Sequence, residues 1–258
     1  METTSSSEQF NKQAALYATS TVHRSGPSLP VLVEMAEPEP ADVALDVATG
    51  TGNTAFALAP HVGRIIGLDI ASGMLQQARN RAREEKLNNI EFKEGSAEEF
   101  PFADGSFSLV VSRHAPHHFR NLEKFLDEVR RVLQPGQRFV LADQISPSAG
   151  VSDWLEKWEQ VRDPSHFRQR TVSQWRELAE AADFCWVREQ MVPYELPFEW
   201  WVKQAGCEAE TVDYLRRHAA AADAETRREV GLKFDPAGSV KSFIEMMLVV
   251  RLERRSEK

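Results

Sequence analysis

The sequence predicts an α/β fold with a mostly parallel sheet and helices on both faces. Strand-like and helix-like patterns alternate through the first 145 residues. The first apolar run, Val43-Ala-Leu-Asp-Val-Ala-Thr-Gly-Thr-Gly-Asn53, ends in two spaced glycines that open a helix. Strands joined in this way by helices build a parallel sheet with right-handed crossovers.

The elements follow in order. Val43–Ala48 reads as a buried strand, and the segment from Asn53 to Ala59 as the helix after it. Arg64–Ile70 is a second strand, and Ser72–Lys86, rich in Ala, Arg, Glu and Gln, a helix. Ile90–Lys93 and Phe107–Ser112 are the third and fourth strands. Leu122, Phe125, Leu126, Val129 and Leu133 share one helical face. Pro135-Gly136 stops that helix, and Arg138–Ala142 is the fifth strand. Beyond Pro147, Val172–Ala182 reads as a helix, Cys185–Val192 as a strand, Phe198–Leu232 as helical and Ser242–Leu252 as a final strand. All six tryptophans lie after residue 150.

Composition bounds the function. With 42% hydrophobic and 27% charged residues, the 258-residue chain has an ordinary globular composition. A net charge of −8 argues against a dedicated grip on nucleic acid phosphates. No apolar stretch approaches the ~20 residues that cross a bilayer, so stable membrane insertion is not expected. The N-terminus lacks the basic and apolar regions of a signal peptide. Cys185 and Cys207 form no zinc or disulfide pattern, and each is expected to pack as a small apolar residue. The expectation is a soluble, cytoplasmic protein.

The glycine turn alone is generic to nucleotide-binding folds. Asp46, four residues before Gly50, is more selective. A carboxylate there would repel a pyrophosphate but suits a ligand carrying an ammonium and a sulfonium. Ligands in such sheets sit beyond the carboxyl ends of the strands. Asp46, Asp69, Ser96, Arg113 and Asp143 all lie at those ends or just after them.

Six segments carry a resemblance across roughly residues 40–145. They are Leu45-Asp-Val-Ala-Thr-Gly-Thr-Gly52, Gly67-Leu-Asp-Ile-Ala-Ser-Gly-Met74, Gly95-Ser-Ala-Glu-Glu-Phe-Pro-Phe102, Asp104-Gly-Ser-Phe-Ser-Leu-Val-Val111, His117-His-Phe119 and Glu128-Val-Arg-Arg-Val-Leu-Gln-Pro-Gly136. In this order and spacing they resemble the class I S-adenosylmethionine-dependent methyltransferases, in particular the small-molecule group that includes the ubiquinone and menaquinone biosynthesis enzymes. The resemblance implies a Rossmann-like, seven-stranded, mostly parallel sheet that ends in a C-terminal antiparallel hairpin. It also implies helical cover insertions, here about Ser148–Arg170 and Pro193–Ser239. The expected organisation is a tail and capping helix over residues 1–40, a cofactor-binding core over 41–147, and the cover with the last strands over 148–258.

The same resemblance assigns roles. Asp46 would engage the methionine ammonium, while Ala48, Gly50 and Gly52 would bring backbone to the cofactor. Asp69 would take both ribose hydroxyls, and Ile70 and Met74 would sandwich the adenine. Ser96 departs from the usual acid there; its hydroxyl can still accept, but more weakly. Ala97 could offer its N–H to the ring, and Glu98 and Glu99 are expected to be solvated. Arg113, His114 and His118 would flank the methionine end.

Two readings of the histidines stand: packing around the cofactor, or general base chemistry by His114, His117 or His166. His166 is read either as part of a salt-bridged surface loop with Asp163 and Arg168 or as substrate-facing. A metal is not expected. Trp154, Trp158, Trp200 and Trp201, with Arg168 and Tyr17, are candidates for the acceptor surface, which would suit an aromatic or prenylated molecule. The reading is methyl transfer from S-adenosylmethionine to a small molecule by in-line displacement, with a homodimer left open. The alternatives are an NAD(P)-binding oxidoreductase, since Gly50-Thr-Gly-Asn-Thr-Ala55 also fits a dinucleotide turn, and a non-catalytic S-adenosylmethionine-binding protein.

Overall fold

The computed structural model describes residues 26–256. One sheet organises them, in the order β3-β2-β1-β4-β5-β8-β6. The strands are β1 Val43–Val47, β2 Arg64–Asp69, β3 Ile90–Glu94, β4 Phe107–Arg113, β5 Leu133–Gln144, β6 Phe184–Pro197, β7 Lys233–Phe234 and β8 Val240–Arg254. The first five pair in parallel, and β8 runs antiparallel between β5 and β6. The two-residue β7 pairs with β8 and has no counterpart in the sequence reading. The order reverses between β1 and β4, so a crevice opens beyond their carboxyl ends.

Alternation along each strand divides the core into two. Ala44, Leu109, Val111, Val140 and Val249 pack under α1 Ser28–Ala36, α2 Asn53–Leu58 and α5 Ala149–Arg162. Leu45, Val110, Leu141 and Val250 face the other way. There they meet α4 Leu122–Val132 and α6 Val172–Ala181, whose inward residues include Phe125, Leu126, Val129 and Trp175. Helix α3, Ser72–Glu84, flanks β2 and β3.

Several boundaries differ from the sequence reading. The single helical stretch after Phe198 is three helices: α7 Phe198–Gln204, α8 Ala209–Ala220 and α9 Ala224–Glu229. Gly206, at φ +69°, turns the chain after the first break, and Asp223 caps the third helix by accepting from the Thr226 N–H. The run Ala219–Ala222 therefore ends a helix instead of lying inside one. Strand β6 extends to Pro197 because β8 pairs with it along its whole length. Cys185 is exposed on this strand, not packed, and Cys207 is partly buried.

Helix α1 is fixed over the sheet by polar contacts. The Arg138 guanidinium donates to the Ala36 and Glu37 carbonyls and to the Asp42 carboxylate. At its other end the Tyr194 hydroxyl donates to Ser28 Oγ at 2.6 Å and accepts from the Ser28 N–H. The Tyr194 contact lies beside His114 at the carboxyl-end side, where the site is, and the Arg138 contact lies at the opposite edge, beside Asp42 ahead of β1.

Candidate active site

The turn after β1 and the turn after β4 shape one cavity. Ala48 and His114 each follow the last strand residues with φ +54°, an uncommon left-handed conformation for a residue with a Cβ. Gly50 continues the first turn at φ +55°, and a Cβ built there would project into open space. At Gly52, φ +85°, a Cβ would lie 2.7 Å from the Phe56 ring. Only glycine fits both the backbone and the neighbour at that position. The resulting cavity holds about 310 Å³, within the range of small-molecule sites. Its walls come from the first turn, from Asp69, Ile70 and Met74, from Ser96 to Glu98, and from Arg113 to Ala115.

Two acids organise the first turn. Asp46 Oδ2 accepts from Thr49 Oγ1 at 2.6 Å and from the Ala55 N–H at 3.1 Å. The side chain is buried beneath the turn and is not part of the cavity wall. Burial pushes its pKa up to about 7 against the opposing pull of those hydrogen bonds. Asp69 reaches the wall. Its Oδ2 accepts from the Gly50 N–H at 2.7 Å and its Oδ1 from the Ala71 N–H at 2.8 Å. Burial raises this carboxyl too. Ile70 stands at the rim with 47% exposure, a large apolar side chain facing open space.

Beside it, a second and smaller chamber of about 40 Å³ holds room for a few water-sized groups. His114 and His118 line both spaces, so the chamber adjoins the cavity. His117 Nδ1 lies 2.6 Å from Asp143 Oδ1. Burial lowers the His117 pKa well below the ordinary imidazole value and raises Asp143 to about 7. Above about pH 7 the ionised Asp143 accepts from His117 Nδ1–H, which leaves Nε2 as the acceptor of the neutral ring. His118 Nδ1 contacts the Ser165 carbonyl at 3.1 Å. A carbonyl only accepts, so Nδ1 carries the hydrogen and Nε2 is the acceptor of the neutral ring. His166 stacks on His117 with ring centroids 5.5 Å apart and holds Glu156 through Nε2 at 3.0 Å.

The structure brings most of the predicted residues together and separates a few. Ala48, Gly50, Asp69, Ile70, Met74, Ser96, Ala97, Arg113, His114 and His118 border the cavity, while His117, His166, Trp200 and Trp201 border the chamber. His166 is buried and paired with Glu156, not part of a surface loop. Glu98 is not simply solvated: its Oε1 accepts from the Arg120 and Asn121 N–H groups ahead of α4. Trp158 is fully buried, stacked on Trp154 at 4.9 Å and on Trp201 at 5.0 Å. Trp154 stacks in turn on His218. These two rings belong to the core and border neither space. The Arg168 side chain is exposed, and Tyr17 lies outside the described residues. No group of His, Cys, Asp and Glu able to hold a metal occurs among the described residues.

Tyr194, Glu159 and Glu245 are among the residues at the site that went unread in the sequence. Tyr194 packs edge-on to His114 with centroids 5.9 Å apart while it anchors Ser28. Glu159 and Glu245 border the chamber. The two acids had a visible signal. Val151, Leu155 and Glu159 form one i, i+4 row of α5, and Phe243, Glu245, Met247 and Val249 alternate on one face of β8. Their apolar neighbours in these rows are core residues. An acid in such a row breaks the apolar pattern, which marks a site that needs it.

Comparison with known proteins follows the same lines. Residues 38–186 match the family described as "Methyltransferase domain". The uncharacterised methyltransferase YcgJ of Bacillus subtilis strain 168 is 31% identical over 95% of this chain and 98% of its own. Its crystal structure superposes with a TM-score of 0.84, covering 89% of this chain and 99% of that one. A methyltransferase structure from Bacillus halodurans C-125, 28% identical, reaches 0.86 over 90% and 100%. The ubiquinone/menaquinone biosynthesis C-methyltransferase UbiE of Brucella anthropi is 42% identical over 39% of this chain and 40% of its own.

Proposed function

The chain belongs to the methyltransferase-domain family, and from that premise we propose that it methylates a small polar acceptor seated in the inner chamber, with S-adenosylmethionine in the outer cavity. The observation that carries this reading is the junction of the two spaces at His114 and His118. A methyl donor on one side and its acceptor on the other would meet there.

The cavity fits an adenosyl group by its chemistry. Gly50 leaves room where any side chain would intrude, Asp69 presents a carboxylate at the wall, and Ile70 and Met74 offer apolar surface for a flat ring. In this reading Asp69 accepts from the ribose hydroxyls, and Ser96 and Ala97 meet the adenine edge. Arg113, His114 and His118 hold the methionine end. Asp46 acts one step back, fixing the turn through Thr49 and Ala55. When bound, S-adenosylmethionine supplies an electrophilic methyl on its sulfonium.

The chain's own residues then position the acceptor and manage its proton. The His117–Asp143 pair is oriented as a base and its orienting carboxyl are. Alignment in a water-poor site accounts for most of the rate, with effects of ~7–11 kcal/mol for well-oriented reactants. The geometry narrows the acceptor. Trp154 and Trp158 pack on one another in the core, and the chamber is small and lined by polar groups. Both features favour a small polar acceptor over a prenylated one.

Calorimetry with S-adenosylhomocysteine and NADH tests this reading. Saturable binding of S-adenosylhomocysteine without binding of NADH supports it, and the reverse preference overturns it.

A further inference from the structure

We infer that the inner chamber recognises a small ammonium group, held by Glu159 and Glu245 beside the Trp200–Trp201 wall. The inference rests on the acceptor assignment above and names the class of molecule that fits it.

Both acids occupy positions where the fold otherwise places core residues. Glu159 is 2% exposed at the inner end of the Val151, Leu155 row, and Glu245 sits between the buried Phe243 and Met247. Neither carboxyl receives a hydrogen bond from another described residue. Arg162 forms an ion pair with Glu159, its Nη1 3.8 Å from Oε2, without coming to hydrogen-bond distance. A buried carboxyl that accepts no hydrogen bond is costly, so Glu159, with the half-buried Glu245 beside it, leaves acceptor capacity at the chamber that a bound donor would satisfy.

The charge balance gives the sign of the missing partner. Asp163 is already satisfied by the Ser165 N–H and hydroxyl. Among the described residues Arg162 is the one guanidinium lining the chamber; it donates to the Trp201 carbonyl and lies over the Trp201 ring at 4.8 Å. His117 and His118 are held neutral by burial. Burial, with the Glu159 charge beside it, lifts Glu245 to about 8, burial raises Glu159 as well, and the Arg162 charge opposes both shifts. Among the described residues the chamber thus offers two acids besides Asp163 to one guanidinium, and a cation seated between the two would draw off the proton that Glu245 holds near neutral pH. An alkylammonium is such a cation, with N–H donors for both carboxylates and an apolar flank for the indole face. A carboxylate or phosphate would meet Glu159, Glu245 and Asp163 with repulsion. At about 40 Å³ the chamber takes only the reacting head of the acceptor.

The reaction balances with these parts. The ammonium loses one proton to the His117–Asp143 pair. The freed nitrogen lone pair forms the N–C bond as the C–S bond of the sulfonium breaks. The bonding electrons stay on sulfur as a neutral thioether, and the product nitrogen carries the charge as a methylated ammonium.

The test is a charge series titrated into the protein saturated with S-adenosylhomocysteine: ethylamine, ethanol and acetate, matched in size. Ethylammonium is expected to bind in roughly the millimolar range for three heavy atoms, with no measurable binding of ethanol or acetate. E159Q and E245Q are each expected to weaken ethylammonium at least tenfold while the affinity for S-adenosylhomocysteine stays within about threefold. Equal binding of ethanol or acetate, or unchanged ethylammonium affinity in both variants, overturns the inference. The charge series needs no variant, so it decides even where a substituted chain fails to fold. Failure of the wild-type protein to bind S-adenosylhomocysteine is a separate result, and overturns the function proposed above.

Discussion

Replacing Asp69 with alanine removes the only carboxylate that the outer cavity presents beside its first turn among the described residues. In the folded chain the two oxygens of Asp69 organise Gly50 and Ala71 through hydrogen bonds of 2.7 and 2.8 Å. In the bound complex the same carboxylate is proposed to accept from two ribose hydroxyls. Hydrogen bonds to a charged group contribute about 1.5–3 kcal/mol each, so losing two costs about 3–6 kcal/mol of binding. At 1.4 kcal/mol per tenfold, that is a weakening of about 10²–10⁴ in the affinity for S-adenosylhomocysteine. Asp69→Asn keeps one acceptor oxygen and should fall between wild type and the alanine variant. Isothermal titration calorimetry reads the affinities, and near-ultraviolet circular dichroism reports whether the variant retains native packing. A folded Asp69→Ala protein that binds within about threefold of wild type would refute the ribose assignment.

Trp158→Ala should destabilise the fold by about 3–5 kcal/mol in urea denaturation, because it empties the centre of an aromatic stack, and should leave the affinity for S-adenosylhomocysteine unchanged. A cost below about 1 kcal/mol would show that the ring is not core. Asp143→Asn should slow turnover of any amine the wild type methylates by about 10²-fold or more, with donor affinity retained; equal turnover removes the base pair from the account. Thermal stability should fall as pH rises from about 5 to about 9. Burial raises Asp46 and Asp143 to about 7 and Glu245 to about 8. A carboxyl raised on folding gives its full stabilisation below its unfolded range, and loses it as pH climbs through the folded value. Glu245→Gln should flatten the upper part of that fall in a melting-temperature profile, and an unchanged profile would contradict the burial of Glu245.

Much of this was legible in the sequence, for identifiable reasons. Strands β1, β2, β4 and the second half of β5 carry apolar runs, and helix α4 shows a clear one-face pattern in Phe125, Leu126 and Val129. The outer cavity was legible because its residues follow strand ends in order: Asp46, Asp69, Ser96 and Arg113. The cover was harder to read. Its tryptophans suggest a binding surface by composition, but rings that large gain more from packing together than from facing a ligand, and Trp154, Trp158 and Trp201 do pack together. The break of the long helical stretch depends on Gly206 and the Asp223 cap, and helical composition masks both. Glu98 looked like an exposed acid because its partners, the N–H groups of Arg120 and Asn121, lie over twenty residues away. Glu159 and Glu245 were readable only as interruptions of apolar rows, which become meaningful once the rows are known to face one chamber.

The junction of donor cavity and acceptor chamber is the central claim, and a crystal structure with S-adenosylhomocysteine tests it most directly. The account predicts adenine beside Ile70 and Met74, the ribose on Asp69, and the thioether sulfur at the opening between His114 and His118. A ligand with its sulfur turned away from that opening, or bound outside this cavity, would contradict it.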